Sequence, residues 1–187
     1  MALETIMWIV LAVVLIIVGL FAWSVYNGLI RKKNRVENAL AQIDVQLKRR
    51  TDLIPNLIES VKGYMKHERK VLTELTKART AIMKAKSIGK KAKASNKITG
   101  ALKSIFAVAE NYPKLRANEN FLQLQEELTG TENKIAYSRQ HYNDSVMDYN
   151  ISIQVWPNSF FAKRMGFGKK GMFEVPESEK KPVKVKF

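Results

Sequence analysis

The chain has 187 residues, no cysteine, two histidines and a formal net charge of +15. That length points to one domain plus accessories. The absence of cysteine excludes disulfides, zinc–thiolate centres and thiol nucleophiles, and the cationic surplus points to anionic partners, either nucleic acid or the acidic face of a membrane.

The first element narrows that choice. Ile6 to Val25, IMWIVLAVVLIIVGLFAWSV, is an uncharged run of 20 residues. As a helix it spans about 30 Å, the thickness of a bilayer core. Trp8 lies near one end and Trp23 and Tyr26 near the other, where aromatic rings favour the membrane interface. A cleaved signal peptide fits poorly: the residues before the run carry Glu4 and no Lys or Arg, the run is long, and Ala22-Trp23-Ser24 is a weak cleavage site. Cations flank the run on one side only, at Arg31, Lys32, Lys33 and Arg35. The positive-inside rule then places residues 1–5 outside, a transmembrane helix over 6–25, and residues 26–187 in the cytoplasm.

Beyond the anchor the pattern is helical. Val36, Leu40, Ile43, Leu47 and Ile54 repeat at helical steps on one face. A second stripe runs through Leu57, Ile58, Val61, Met65, Leu72, Leu75, Ala78 and Ile82. Between them stands Lys48-Arg49-Arg50-Thr51-Asp52-Leu53-Ile54-Pro55. Lys48, Arg49 and Arg50 suit the last turn of one helix, where cations favour the negative end of the macrodipole. Asp52 suits an N-cap and Pro55 a first turn, where its missing N–H has no intrahelical partner. The expectation is a joint between two helices; a Lys/Arg pocket for phosphate or lipid head groups is the competing reading.

KSIGKKAKASNK, from Lys86 to Lys97, reads as a break near Gly89 that ends at Asn96, an N-cap. Residues 75–109 hold nine Lys or Arg and no acid, with Lys84, Lys86, Lys90, Lys91 and Lys93 closely spaced. A solvated mobile loop and a contact with anionic lipid or nucleic acid are the two readings of that run. A third helix is expected over 97–112, closed or kinked by Pro113. A fourth is expected from Asn118 to Val155, with Leu128, Ile135, Tyr142 and Tyr149 at seven-residue steps that argue for lengthwise packing. Gly130 inside it is either a tolerated weak point or a close helix contact. If the chain bends at Pro55 the helices form a compact bundle, the preferred arrangement; if it runs straight through, they form a long hairpin.

Trp156, Phe160, Phe161, Met165, Phe167 and Phe173 interleave with Lys163, Arg164, Lys169 and Lys170. Residues 157–173 suit an interfacial membrane segment, or aromatics capping the open end of a bundle. Residues 174–187 are charged and proline-bearing, the composition of a disordered tail.

Gln42-Ile43-Asp44-Val45-Gln46-Leu47-Lys48-Arg49-Arg50, Asp52-Leu53-Ile54-Pro55-Asn56-Leu57, Val61-Lys62-Gly63-Tyr64 and Ala109-Glu110-Asn111-Tyr112-Pro113 carry a family resemblance. So do Thr131-Glu132-Asn133-Lys134-Ile135-Ala136, Tyr142-Asn143 and Tyr149-Asn150. With these the chain resembles the LemA family of bacterial membrane proteins up to about Phe173; Thr51 departs from it, where an aromatic residue is commoner. The resemblance implies an N-terminal anchor in the bacterial inner membrane, an outside N-terminus and a cytoplasmic bundle of four helices. It implies no known enzymatic activity, and some relatives are associated with magnetosome membranes.

Catalytic constellations are sparse. His67-Glu68 lacks a second histidine at the spacing of a helical zinc site, and His141 has only Asp144 nearby in sequence. Glu126, Glu127 and Glu132 suit pairing with cations of a neighbouring helix. No phosphate-cradling glycine loop follows a strand. The sequence is thus read as an all-α protein whose transmembrane helix continues into an antiparallel bundle of four long helices over 26–156. No catalytic, metal or cofactor site is expected. The expected function is a non-enzymatic, self-associating scaffold, a homo-oligomer on the bilayer that organises or shapes the cytoplasmic membrane face. Lipid contact is expected through Arg31, Lys32, Lys33, Arg35, the five lysines from Lys84 to Lys93, and Trp156, Phe160, Phe161, Lys163, Arg164 and Phe167. The alternative is a tethered binding module for nucleic acid or acidic proteins, although nucleic acid is disfavoured because no recognised reading motif is present.

Overall fold

The computed structural model describes residues 1–65 and 67–174. Among the described residues the regular elements are all helices: α1 (Ala2–Lys62), α2 (Arg69–Met83), α3 (Ile88–Ala109), α4 (Pro113–Arg116), α5 (Glu119–Ser152) and α6 (Asn158–Arg164). The expected tail lies, from residue 175 on, outside the described residues. The contacts divide the chain into two compact units. An anchor unit comprises 1–38 and 144–170, and a bundle unit comprises 39–143 and the segment from Gly171.

In the anchor unit the first part of α1 is apolar and wholly unburied: no residue of its most apolar stretch is covered by protein. It is one helix long and apolar enough to cross a membrane. Burial begins where the charged flank begins. Leu29 and Val36 are buried on α1, with Val146, Tyr149 and Ile153 on the end of α5 and Ala162 on α6.

The bundle unit packs four helices. Ile43, Leu47, Ile54, Leu57 and Val61 of α1 are buried, with Leu75, Ala78 and Ile82 of α2 and Ile98, Leu102 and Ile105 of α3. Phe121, Leu128, Ile135 and Tyr142 complete the core from α5, the last three at the seven-residue step expected for lengthwise packing. Neighbours run antiparallel. Thr99 meets Glu132, and seven residues further along α3 Phe106 lies edge-on to Phe121, centroids 6.4 Å apart. Asn118 caps α5 by accepting the Phe121 N–H at 3.1 Å.

The joint expected at Lys48, Arg49, Arg50, Asp52 and Pro55 is not there: α1 runs unbroken through Pro55 to Lys62. A mid-helix proline leaves the carbonyl four residues earlier without its N–H donor. Here that carbonyl belongs to Thr51, and Arg79 of α2 donates its Nε–H to it at 2.8 Å. The vacant acceptor is thus satisfied from a neighbouring helix, so the proline does not end the helix. Lys48 and Asp52 instead form an exposed pair one turn apart, 2.8 Å. The chain turns between α1 and α2, so neither a bend at Pro55 nor an uninterrupted hairpin describes it; α1 continues past Pro55 and a four-helix bundle still forms.

The expected lysine loop is also revised. Only Lys84 to Ser87 connects α2 to α3, and Lys90, Lys91 and Lys93 lie in the first turns of α3. Ser87, not Asn96, is the N-cap, accepting the Lys90 N–H at 3.4 Å. Buried Ala92, Ala94 and Ser95 explain the difference: small side chains draw this segment onto the core, and tertiary packing overrides the local charge. At Gly130 a Cβ would meet nothing within 4 Å, which removes the close-contact reading and leaves a tolerated weak point.

Candidate membrane-contact site

The cations that follow the apolar run divide by partner. Arg31 and Arg35 are exposed on α1. Lys32 reaches Asp148 of α5 at 2.6 Å, and Lys33 lies 4.0 Å from Glu37 one turn on. All are within the anchor unit, at the part of α1 where burial starts.

α6 belongs to the same unit and packs at the foot of the apolar run. Phe161 meets Phe21 edge-to-face, centroids 5.8 Å apart, and Phe160 meets Phe161 at 5.4 Å. Phe21 lies inside the 6–25 run, so α6 sits beside the last turns of the apolar helix. Ala162 buries the inner face of α6. Its outer face shows Phe160, with the Arg164 guanidinium stacked over that ring at 5.2 Å, and exposed Lys163. Trp156, just before α6, is 81% exposed. Ile151 and Val155 leave further apolar surface uncovered next to it.

After Gly166, whose positive φ of 75° permits the reversal, the chain runs extended along α5. Two Tyr-Asn pairs hold it. In the anchor unit the Tyr149 hydroxyl donates to the Gly168 carbonyl at 3.0 Å. Asn150 donates to the Lys170 carbonyl at 2.9 Å and accepts the Lys170 N–H at 2.9 Å. In the bundle unit Tyr142 donates to Gly171 at 2.8 Å, and Asn143 brackets Phe173 through both backbone groups, 3.1 and 2.8 Å. The spacings agree, because seven helical residues and three extended residues both advance about 10 Å. Both tyrosine rings are buried in the packing, and the pairs act as backbone clamps as well. Burial raises the pKa of both phenols, helped at Tyr149 by the Glu37 carboxylate.

The bundle unit holds its own polar layer. Arg50, wholly buried, donates to the Glu132 carboxylate, to Ser95 Oγ at 2.7 Å and to Thr99 Oγ1 at 3.1 Å. Thr99 in turn donates to Glu132 at 2.7 Å. Burial lowers the Arg50 pKa and nearby Arg139 adds to that, while Glu132 opposes both. Arg49 lies 3.9 Å from Glu127. Glu127 and Glu132, two of the three acids expected to pair with a neighbouring helix, thus meet arginines of α1. Glu68 accepts from the Tyr112 hydroxyl at 2.7 Å, a structural use. Among the described residues no cluster of three or more His, Asp or Glu side chains is placed to hold a metal ion.

Of the lysine run, Lys91 is engaged with Asp44 at 2.6 and 2.7 Å, and Lys84, Lys86, Lys90 and Lys93 are exposed. These belong to the bundle unit, whereas Lys33 and Phe167 line one cleft in the anchor unit together with Tyr149, Lys169 and Lys170. The last three are site residues that sequence reasoning missed as a group; the Tyr149-Asn150 pair was their signal.

The fold and this site define an all-α bundle protein carrying one apolar helix of membrane-spanning length. The LemA family model matches residues 39–187, and the chain belongs to the LemA family. That match begins after the apolar run. The chain is 26% identical over 161 residues to protein LemA of Metamycoplasma hominis, covering 84% of this chain and 72% of that relative. It is 30% identical over 83 residues to magnetosome protein MamQ 2 of Paramagnetospirillum magneticum, and 28% identical over 83 residues to magnetosome protein MamQ of Magnetospirillum gryphiswaldense. Each of these matches covers 44% of this chain and 30% of the magnetosome protein.

Proposed function

We propose that the protein is a non-catalytic, single-pass scaffold of a bacterial inner membrane, N-terminus outside and body in the cytoplasm, that self-associates and organises or shapes the cytoplasmic membrane face. The observation that carries this reading is the seating of Phe161 against Phe21. It gives the spanning helix a short aromatic and cationic companion at its cytoplasmic end. Trp156, Phe160, Ile151 and Val155 then meet the interfacial region of one leaflet, with Lys163 and Arg164 among the head groups. An inclusion wider in one leaflet than in the other favours curvature, and repeated copies multiply the effect. The similarity to magnetosome proteins supports a membrane role.

The test reconstitutes the full-length protein at rising density into vesicles containing anionic lipid, with vesicle outline imaged and protomers cross-linked. Clusters and altered curvature are expected. Replacing Trp156, Phe160 and Phe161 by serine should leave the protein inserted but abolish the curvature. Equal curvature with and without these rings would overturn the reading.

A second reading, a tethered module for acidic partners, draws on Lys90 and Lys93. They stand in the first turns of α3, where cations oppose the macrodipole and cost about 0.3–1 kcal/mol each. Binding of nucleic acid or acidic peptide at physiological salt, lost on K90E/K93E, would favour it.

A further inference from the structure

We infer that the anchor unit carries a binding cleft for the phosphate of one anionic phospholipid. The inference rests on the membrane placement proposed above. The cleft, about 470 Å³, is lined by Tyr26, Lys33, Tyr149, Phe167, Lys169 and Lys170 among others. Its charge is unbalanced. No acid is among its lining residues, and Glu37 beside it lies 4.0 Å from Lys33 and 3.7 Å from Lys170. Three ammonium groups thus meet one carboxylate, and Asp148 is already taken by Lys32 at 2.6 Å. An unbalanced cationic cleft favours an anion, and phosphate matches several ammonium donors at once.

The cleft lies at head-group depth. Tyr26 follows Val25, the last residue of the apolar run. Lys33 is eight residues past Val25, about 12 Å along the helix axis. Side chains on a helix lean toward its N-terminus, here toward the bilayer, and a lysine stem carries its charge further that way. Tyr26 and Phe167 meet edge-on at 6.1 Å and form the apolar wall beside which acyl chains would pass. The rear wall is rigid: the Tyr149 and Asn150 clamps fix Gly168 and Lys170. The lysines of 169–170 are therefore held in place rather than carried on a free strand, which lowers the entropic cost of binding.

Native mass spectrometry of the full-length protein released from detergent, with phosphatidylglycerol or phosphatidylcholine added, tests this. One retained phosphatidylglycerol is expected, with phosphatidylcholine bound more weakly. Each lysine should count for about fivefold, so K33Q/K169Q/K170Q should lower retention about a hundredfold. The charge-keeping K33R/K169R/K170R should restore it, and E37Q should tighten it. Neutralising the exposed lysines Lys103, Lys114 and Lys134 should change it little. Undiminished retention in K33Q/K169Q/K170Q, or equal loss in the control variant, would overturn the site. Displacement by inorganic phosphate at equal concentration would overturn the lipid assignment in favour of a soluble anion. Curvature that persists in K33Q/K169Q/K170Q, while lipid is lost there, leaves the scaffold reading intact; undiminished curvature in the aromatic variant with lipid retained overturns the scaffold reading and leaves the lipid site standing.

Discussion

Replacing Arg50 by methionine isolates the polar layer of the bundle. Methionine keeps most of the apolar stem and removes the guanidinium. What remains is the Glu132 carboxylate, 24% exposed, holding the Thr99 hydroxyl at 2.7 Å and deprived of its buried ion-pair partner. Removing one partner of a buried pair costs about 3–5 kcal/mol, mostly because the other charge is left uncompensated. Glu132 keeps some water, so the lower end applies, about 3 kcal/mol. In a unit of this size that is a fall in Tm of about 10–15 °C. The Thr99 hydroxyl suffers less, since it keeps Glu132 as acceptor and has the Ser95 carbonyl 3.2 Å away as an alternative. R50M/E132L should therefore recover most of the loss, because replacing both ions with apolar groups is often neutral or stabilising. Thermal unfolding of the detergent-solubilised full chain, followed by helical circular dichroism, measures both. A single mutant within about 1 kcal/mol of wild type, or a double mutant no better than the single, would refute the argument.

Further outcomes are expected. Arg79→Met should destabilise by about 1–2 kcal/mol by stranding the Thr51 carbonyl, but by much less in a P55A background, where the new N–H can take that carbonyl; a double-mutant cycle reads the coupling. Burial holds the Tyr142 phenol above its ordinary 10.0, so the unfolded chain loses that proton first. The associated stability is complete below the unfolded value and drains away as pH rises through the folded one; Y142F should flatten this alkaline loss while costing about 1 kcal/mol at neutral pH. Asn150→Ala removes both clamp bonds to Lys170, and hydrogen exchange at the Lys170 amide should accelerate while exchange in α2 does not change. With no native cysteine to interfere, Phe160→Cys carrying an environment-sensitive dye should report an apolar setting only in the presence of bilayer, and Lys103→Cys an aqueous one throughout.

The helical face of each element was legible because burial imposes a period on the sequence. Ile43, Leu47, Ile54, Leu128, Ile135 and Tyr142 all stand where that period puts them. The errors fell where a local signal met a distant partner. Proline at 55 carries the local signature of a helix start, and nothing near it in sequence names Arg79 as the donor that lets the helix continue. The lysines from Lys90 to Lys93 carry the signature of a loop, and the alanines among them are too small to announce a buried face. Arg50 illustrates the same limit, since its burial depends on Ser95, Thr99 and Glu132, all more than forty residues away in sequence. The apolar helix of membrane-spanning length was legible outright, because length and the absence of charge define it without any partner.

The clamped segment after Gly166 divides its side chains: Phe173 is buried in the core, while Lys169 and Lys170 line the cleft proposed above. An extended strand lying on one helix exposes its backbone polar groups, which in a bundle normally go to another strand or to water. Asn150 replaces the missing strand by presenting an amide that both donates and accepts, and Tyr149 adds one donor a residue earlier. Because these bonds use backbone atoms of 168 and 170, the side chains of Lys169 and Lys170 remain free to be chosen for charge. Their positions are then set by α5, and α5 is tied to α1 in the same unit through Lys32 and Asp148. The cationic cleft thus inherits the placement of the helix that carries the apolar run. Loosening the clamp by N150A should weaken retention of phosphatidylglycerol although no charge is removed, and restoring an amide as N150Q, whose reach is one methylene longer, should recover it only in part.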